Sequence, residues 1–292
     1  MLTNEEFSAL LREGPCLLDG ATGSWLRKHG MPKDAVTEDW VLRNPEVLVS
    51  LQRGYAQAGS RIVYAPTFQA QPIALGKIGL QNHAQAINAQ LVALSRSAAP
   101  GCMVAGDLTT LAAFCDSWNP DNFEMLVENY RVQIRGLLEG GADVLIGETL
   151  LYPQEAEAIL TAAQLEGAQT TMISFTMQSG GYLWSGQDAA PLMTQLEEWG
   201  AAAVGFNCVA ADDMTPHLVS RLRRFTKLPL ICKPNAGNPT INAQGEAEYN
   251  LDPASFAQIG KACRDNGAAL LGGCCGTTPE HMAALAQALH DR

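Results

Sequence analysis

Leu270-Leu271-Gly272-Gly273-Cys274-Cys275-Gly276-Thr277-Thr278-Pro279 reads as a strand that stops, a loop and a helix that starts. The apolar run 268–271 is a buried strand, ended by two glycines. Thr278 is placed to cap the following helix, and Pro279 fits its first position, where no backbone N–H is needed. Between them stand two adjacent cysteines. Neighbouring side chains alternate along a strand, so Cys274 and Cys275 cannot face one way in extended backbone. The flanking glycines relieve this by letting the chain bend, and both sulfurs can then converge. Convergent thiolates suit a soft divalent metal, zinc above all. A glycine-rich turn carrying two buried cysteines is the plainer alternative.

The same unit recurs upstream. Apolar runs at 15–19, 61–65, 102–107, 142–149, 171–176, 202–208 and 228–234 precede 268–271. Helical spacing separates them. Asn4 is placed to cap a first helix through Phe7, Leu10 and Leu11, and Asn44-Pro45 opens one through Val47, Leu48, Leu51 and Tyr55 that Gly59 stops. Asp121 is placed to cap a long helix through Phe123, Leu126, Tyr130, Ile134 and Leu137, and Asp252-Pro253 starts another. Residues 178–187 form a loop long enough to arch over a site, and 234–249 reads as irregular. Eight strands alternating with helices predict a single-domain (β/α)8 TIM barrel over residues 1–292. A doubly wound sheet would call for a glycine-rich phosphate loop after the first strand, and none is present.

Barrel active sites lie at the C-terminal ends of the strands. Asp19, Glu148, Cys208, Cys274 and Cys275 all fall there. Three thiolates leave zinc a fourth position, as a catalytic site does. A substrate thiol arriving there would lose its proton at neutral pH and become a nucleophile toward an activated alkyl group. Asp19 suits a substrate contact or a helix cap equally. Cys16, Cys102, Cys115, Cys232 and Cys263 show no such convergence and read as small core residues.

Composition narrows the class. Of 292 residues, 47% are hydrophobic and 17% charged, a globular balance, and the net charge of -11 disfavours nucleic acid or an anionic membrane. The opening residues show no basic leader and no apolar stretch reaches bilayer length, so a cytoplasmic protein is expected. Eight cysteines are then expected as reduced thiols and ligands.

Asp19-Gly20-Ala21-Thr22-Gly23, Gly147-Glu148-Thr149, Gly205-Phe206-Asn207-Cys208, Pro234-Asn235-Ala236-Gly237 and the paired-cysteine stretch together resemble the successive motifs of the zinc-dependent homocysteine S-methyltransferases. The resemblance implies methyl transfer to L-homocysteine, giving methionine, with Cys208, Cys274 and Cys275 as Zn2+ ligands. It implies Asp19 beside bound homocysteine and Glu148 near its amino group. Asn207 either steadies the metal loop or caps backbone. The stretch from Asn235 to Asp252 is most similar to the homocysteine module of cobalamin-dependent methionine synthase. Gly106-Asp107-Leu108-Thr109-Thr110 stands where many members of the family have a Gly-Pro pair, in a region that faces the donor. The donor is therefore open between a small onium compound and a methylcorrinoid (methylcobalamin) carried by a separate protein, and the reading leans to the latter. Tyr182 and Trp184 could offer ring faces to an onium. Another thiol or selenol acceptor, and a zinc store or sensor, are the alternative functions.

Overall fold

The apolar runs become parallel strands in the computed structural model, which describes residues 1–178, 180–243 and 245–290. Ser179 and Gln244, in the two loops noted above, and residues 291 and 292 lie outside the described residues. The strands are β1 (Cys16–Leu17), β2 (Ile62–Tyr64), β3 (Met103–Thr109), β4 (Val144–Leu150), β5 (Thr171–Phe175), β6 (Ala203–Ala210) and β7 (Leu230–Asn235). After an exposed antiparallel hairpin, β8 (Thr240–Ile241) with β9 (Ala247–Glu248), comes the last barrel strand β10 (Ala268–Leu271). The hairpin replaces the irregular stretch expected from sequence.

Parallel pairing runs β1-β10-β7-β6-β5-β4-β3-β2. Across the remaining seam, the Arg61 N–H donates to the Leu17 carbonyl at 2.8 Å. The expected (β/α)8 barrel is thus observed. Its helical elements are α1 (Asn4–Arg12), α2 (Gly23–Lys28), α3 (Thr37–Arg43), α4 (Pro45–Gln57), α5 (Pro72–Leu75), α6 (Ala84–Ala98), α7 (Phe123–Glu139), α8 (Pro153–Leu165), α9 (Ala189–Glu198), α10 (Thr215–Arg223), α11 (Pro253–Asp265) and α12 (Pro279–His290).

Two caps differ from expectation. Thr3, not Asn4, caps α1: its hydroxyl accepts the Glu6 N–H while the Glu6 carboxylate accepts the Thr3 N–H, a reciprocal box that Asn4 cannot form from inside the helix. Asp121 lies within a short 3-10 turn, Pro120–Asn122, and its own N–H is taken by Asn119.

The core has two main parts. An outer shell packs the helices against the strands. The barrel interior is filled by Cys16, Leu18, Ile62, Ala105, Val144, Ile146, Met172, Ala203, Ile231 and Leu270, with Phe7 of α1 joining the same cluster. Strand side chains alternate, so the inward positions two residues beyond Ala105, Ile146, Met172, Ala203 and Ile231 belong to the next layer toward the C-terminal rim. The counting passes from Ala203 through Gly205 to Asn207, and elsewhere reaches Asp107, Glu148, Ser174 and Lys233. An apolar barrel therefore carries a polar top layer.

Candidate active site and metal centre

Bulges at two strand ends aim the site. The β6–β7 register shifts between Asn207 and Ala210, and the β4–β5 register between Gly147 and Leu150. Within these bulges Cys208 and Thr149 both adopt φ of 57°, a left-handed conformation that costs a non-glycine residue about 1–3 kcal/mol. The departure breaks strand alternation, so Asn207 is fully buried while its neighbour Cys208 lines the cavity. Asn207 straps the two bulges together. Its Oδ1 accepts the Thr149 N–H at 2.8 Å and the Ser174 hydroxyl at 2.9 Å, and its Nδ2 donates to the Thr149 hydroxyl at 2.6 Å. The same Nδ2 lies 3.8 Å from the Cys274 sulfur.

The paired cysteines follow β10 on a tightly tied loop. Cys274 N–H donates to the Pro234 carbonyl, and the Thr277 hydroxyl donates to the Cys274 carbonyl at 2.8 Å. Gly276 has φ of 81°, and a Cβ there would strike Tyr249, so the loop closes only around glycine. The three sulfurs of Cys208, Cys274 and Cys275 lie within 4.8 Å of one another, with Cys208 and Cys275 3.9 Å apart. Zinc–sulfur bonds of about 2.3 Å in a tetrahedron put sulfurs roughly 3.8 Å apart, so the cluster fits that ion. Hydrogen bonds from Cys208 and Cys274 hold the Cys275 thiol down to about 3, while contacts with Cys274 and Cys275 push Cys208 up. With all three ionised, thiolates this close would need a cation among them.

Beside the sulfurs lies an acidic cavity of about 250 Å3, lined by Asp19, Glu38, Tyr64, Asp107, Glu148, Thr149, Lys233 and the three cysteines, among others. Asp19 is spent on internal bonds: Oδ2 accepts the Tyr64 N–H at 2.7 Å and Oδ1 accepts Lys233 Nζ at 2.9 Å. Lys233 also lies 3.9 Å from Glu148 and 3.6 Å from the centre of the Tyr64 ring, a cation–π contact. Burial works against the Lys233 charge, yet Asp19, Tyr64 and Glu148 lift its ammonium well above the usual lysine value. Burial pushes Glu148 up to about 8, against the pull of Lys233. Burial, then Glu148, pushes Asp107 up as well. Glu148 Oε2 and Asp107 Oδ1 are buried and have no hydrogen-bond partner.

The structure thus brings Asp19, Glu148, Cys208, Cys274 and Cys275 to one rim, with Asn207 behind it. Sequence reasoning missed Lys233 and Tyr64, and noted Asp107 only as a departure; a lysine inside an apolar run was the available signal. The aromatic loop behaves differently from expectation. Tyr182 pairs with Asp188 and carries Arg221 5.1 Å over its ring, Trp184 is 62% exposed, and neither lines the cavity. A wider second cavity of about 660 Å3 reaches Cys275 and shares Gly23 and Ser24 with the first; Arg27, Lys28, Lys33, Glu246, Glu248 and Tyr249 also line it.

A homocysteine S-methyltransferase family profile matches residues 16–289. The chain belongs to that family. As a member it is an enzyme whose substrates are homocysteine and a methyl donor. The fold matches the homocysteine methyltransferase MmuM from Escherichia coli, with TM-scores of 0.81 for its oxidized and 0.79 for its metallated form. Both are 26% identical to this chain, and the matches cover 96% and 95% of this chain and 98% and 97% of that one. The carboxyl transferase domain of Rhizobium etli pyruvate carboxylase, 15% identical with a TM-score of 0.55 over 94% of this chain and 42% of that one, shares the fold alone. Among the described residues, no helix is long and apolar enough to cross a membrane.

Proposed function

We propose that the chain, as one homocysteine-binding barrel domain over residues 1–292, methylates L-homocysteine to methionine with zinc held by Cys208, Cys274 and Cys275. The observation that carries this reading is the three-sulfur cluster at the wall of an acidic cavity. Zinc bound there supplies a Lewis acid that lets a substrate thiol ionise at neutral pH. The protein supplies the rest. Asn207 steadies Cys274 and both bulges, so the sulfurs keep their spacing. Glu148 receives the ammonium end of the acceptor, and Asp19 acts on the acceptor's surroundings by holding Lys233 beside it. Burial of this charged layer keeps water away from the sulfur and strengthens each polar contact. All eight cysteines are free thiols, which suits the cytoplasm.

The donor in this reading is a methylcorrinoid presented by a partner protein. Support comes from the second cavity, which also reaches Cys275 and has room for more than an amino acid. Arg27, Lys28 and Lys33 on its wall, against Glu246 and Glu248, disfavour a small onium cation. The test is methionine formation by zinc-loaded protein with homocysteine and each donor in turn. Slow turnover of free methylcobalamin, with none from S-methylmethionine or betaine, is expected. Rapid turnover of S-methylmethionine alone overturns the donor and leaves the acceptor standing; no methionine from any donor, with no zinc retained, overturns both.

A further inference from the structure

We infer that Asp107, together with Glu148, receives the α-ammonium group of the acceptor, and that Asp107 sets the preference for an amino-acid thiol over a simple thiol acid. This rests on the acceptor reading above. The argument begins with which carboxylates have oxygens to spare. Asp19 has a donor on each oxygen, the Tyr64 N–H and Lys233 Nζ. Glu38, at the outer end of the cavity, accepts the Gln69 N–H at 2.6 Å. Asp107 Oδ1 and Glu148 Oε2 are the carboxylate oxygens of this cavity that are buried without a hydrogen-bond partner.

Their placement favours a shared ligand. Asp107 and Glu148 sit on adjacent strands, with Asp107 opposite Ile146 and Thr109 opposite Glu148 in the β3–β4 register. Both continue the inward alternation that begins at Ala105 and Ile146, so both belong to the top layer of the barrel. Glu148 raises the cost of ionising Asp107. Among the described lining residues the only cation is Lys233, which is committed to Asp19 at 2.9 Å and stands 3.9 Å from Glu148. A buried carboxylate without a partner is costly, and a second beside it compounds the cost. An ammonium ion has three donors and one positive charge, and between the two carboxylates it would satisfy both needs. The Asp107 side chain has no structural task that would account for its burial. The Thr67 hydroxyl and the Gln133 amide both bind its backbone carbonyl.

Zinc-loaded protein titrated calorimetrically with L-homocysteine and with 4-mercaptobutyrate, which keeps the thiol and carboxylate but lacks the amine, tests the assignment. Two variants carry it, D107N and D107S, since either removes the charge and leaves the backbone carbonyl. Homocysteine affinity is expected to fall by about tenfold or more in both, the loss typical of a hydrogen bond to a charged group, while 4-mercaptobutyrate affinity stays within about twofold of wild type. An equal fall for both ligands, or no fall for homocysteine, overturns the inference. Wild-type protein that binds zinc but shows no preference for homocysteine over 4-mercaptobutyrate overturns the acceptor reading itself, and this inference with it.

Discussion

Lys233 is the residue on which the site's charge balance turns. Its side chain is 4% exposed and its Asp19 partner 1%, so removing either leaves an uncompensated buried charge. Asp19→Asn is expected to destabilise the fold by about 3–5 kcal/mol, and Lys233→Met by a similar amount. The double variant D19N/K233M should recover much of that loss, because neither charge is then stranded. Urea unfolding of the four proteins measures the cycle; strictly additive losses would mean the pair is not coupled. Glu38 makes a second residue-scale case. Burial pushes its carboxyl from the ordinary 4.5 to about 7. Between those values the folded chain holds a proton on Glu38 that the unfolded chain has released, so the contribution of Glu38 to stability is greatest below about pH 4.5. It falls as pH rises toward 7, by on the order of 3 kcal/mol, and is flat beyond. Glu38→Gln cannot titrate and should flatten this part of the profile. Unfolding midpoints at pH 5 and 7.5 check it, and an unchanged difference between them would assign the slope elsewhere.

At the scale of elements, the bulges of β4 and β6 matter more than the strands that carry them. Each holds one non-glycine residue at positive φ, and Asn207 ties the two across neighbouring elements. Deleting that side chain strands the Thr149 N–H and the Ser174 hydroxyl in a buried setting. Asn207→Ala should therefore lower stability by about 2–4 kcal/mol, roughly 1–3 kcal/mol for each unsatisfied group with partial relaxation. Zinc affinity should fall by about 10–100-fold, as for other groups that orient metal ligands. Competition with a chromophoric chelator gives the affinity directly. Full retention of zinc by Asn207→Ala would show that the cysteine loop holds its own geometry. The loop after β10 has a separate device, Gly276 packed against Tyr249, which joins the metal loop to the chain following the β8–β9 hairpin.

The whole molecule separates stability from chemistry by layer. Apolar side chains fill the barrel below, and the helices bury a second shell outside it. The sulfurs sit on the rim, above both. Metal removal is therefore expected to leave the barrel folded, unlike a small zinc domain that depends on its ion. Zinc should add only the linkage contribution, about 4 kcal/mol at a free concentration a thousandfold above Kd. Far-UV circular dichroism and melting with and without chelator check this, and Cys275→Ala should resemble the chelated protein. Collapse of the dichroism on chelation would contradict a fold held by its layers.

Much of this protein was legible in sequence because its signals are local. Apolar runs punctuated by glycine and proline mark strands and helix starts wherever they occur, and their alternation implies the barrel. The pair Cys274-Cys275 between glycines announces a bend at a strand end, and Asn207-Cys208 falls at another. What lay beyond the sequence depends on which strand positions face inward once the sheet closes. Lys233 and Asp107 are each the one charged residue of a largely apolar strand, and their meaning comes from sharing one cavity at the barrel top. The left-handed turn at Cys208 is likewise set by the strap from Asn207 to β4, since nothing in cysteine itself favours it. Asp19 and Asp107 look alike as carboxylates at strand ends. Only the closed barrel, by setting β10 between β1 and β7 so that their inward side chains meet over it, gives Asp19 its lysine and leaves Asp107 without a partner, because buried charge is satisfied through space and not along the chain.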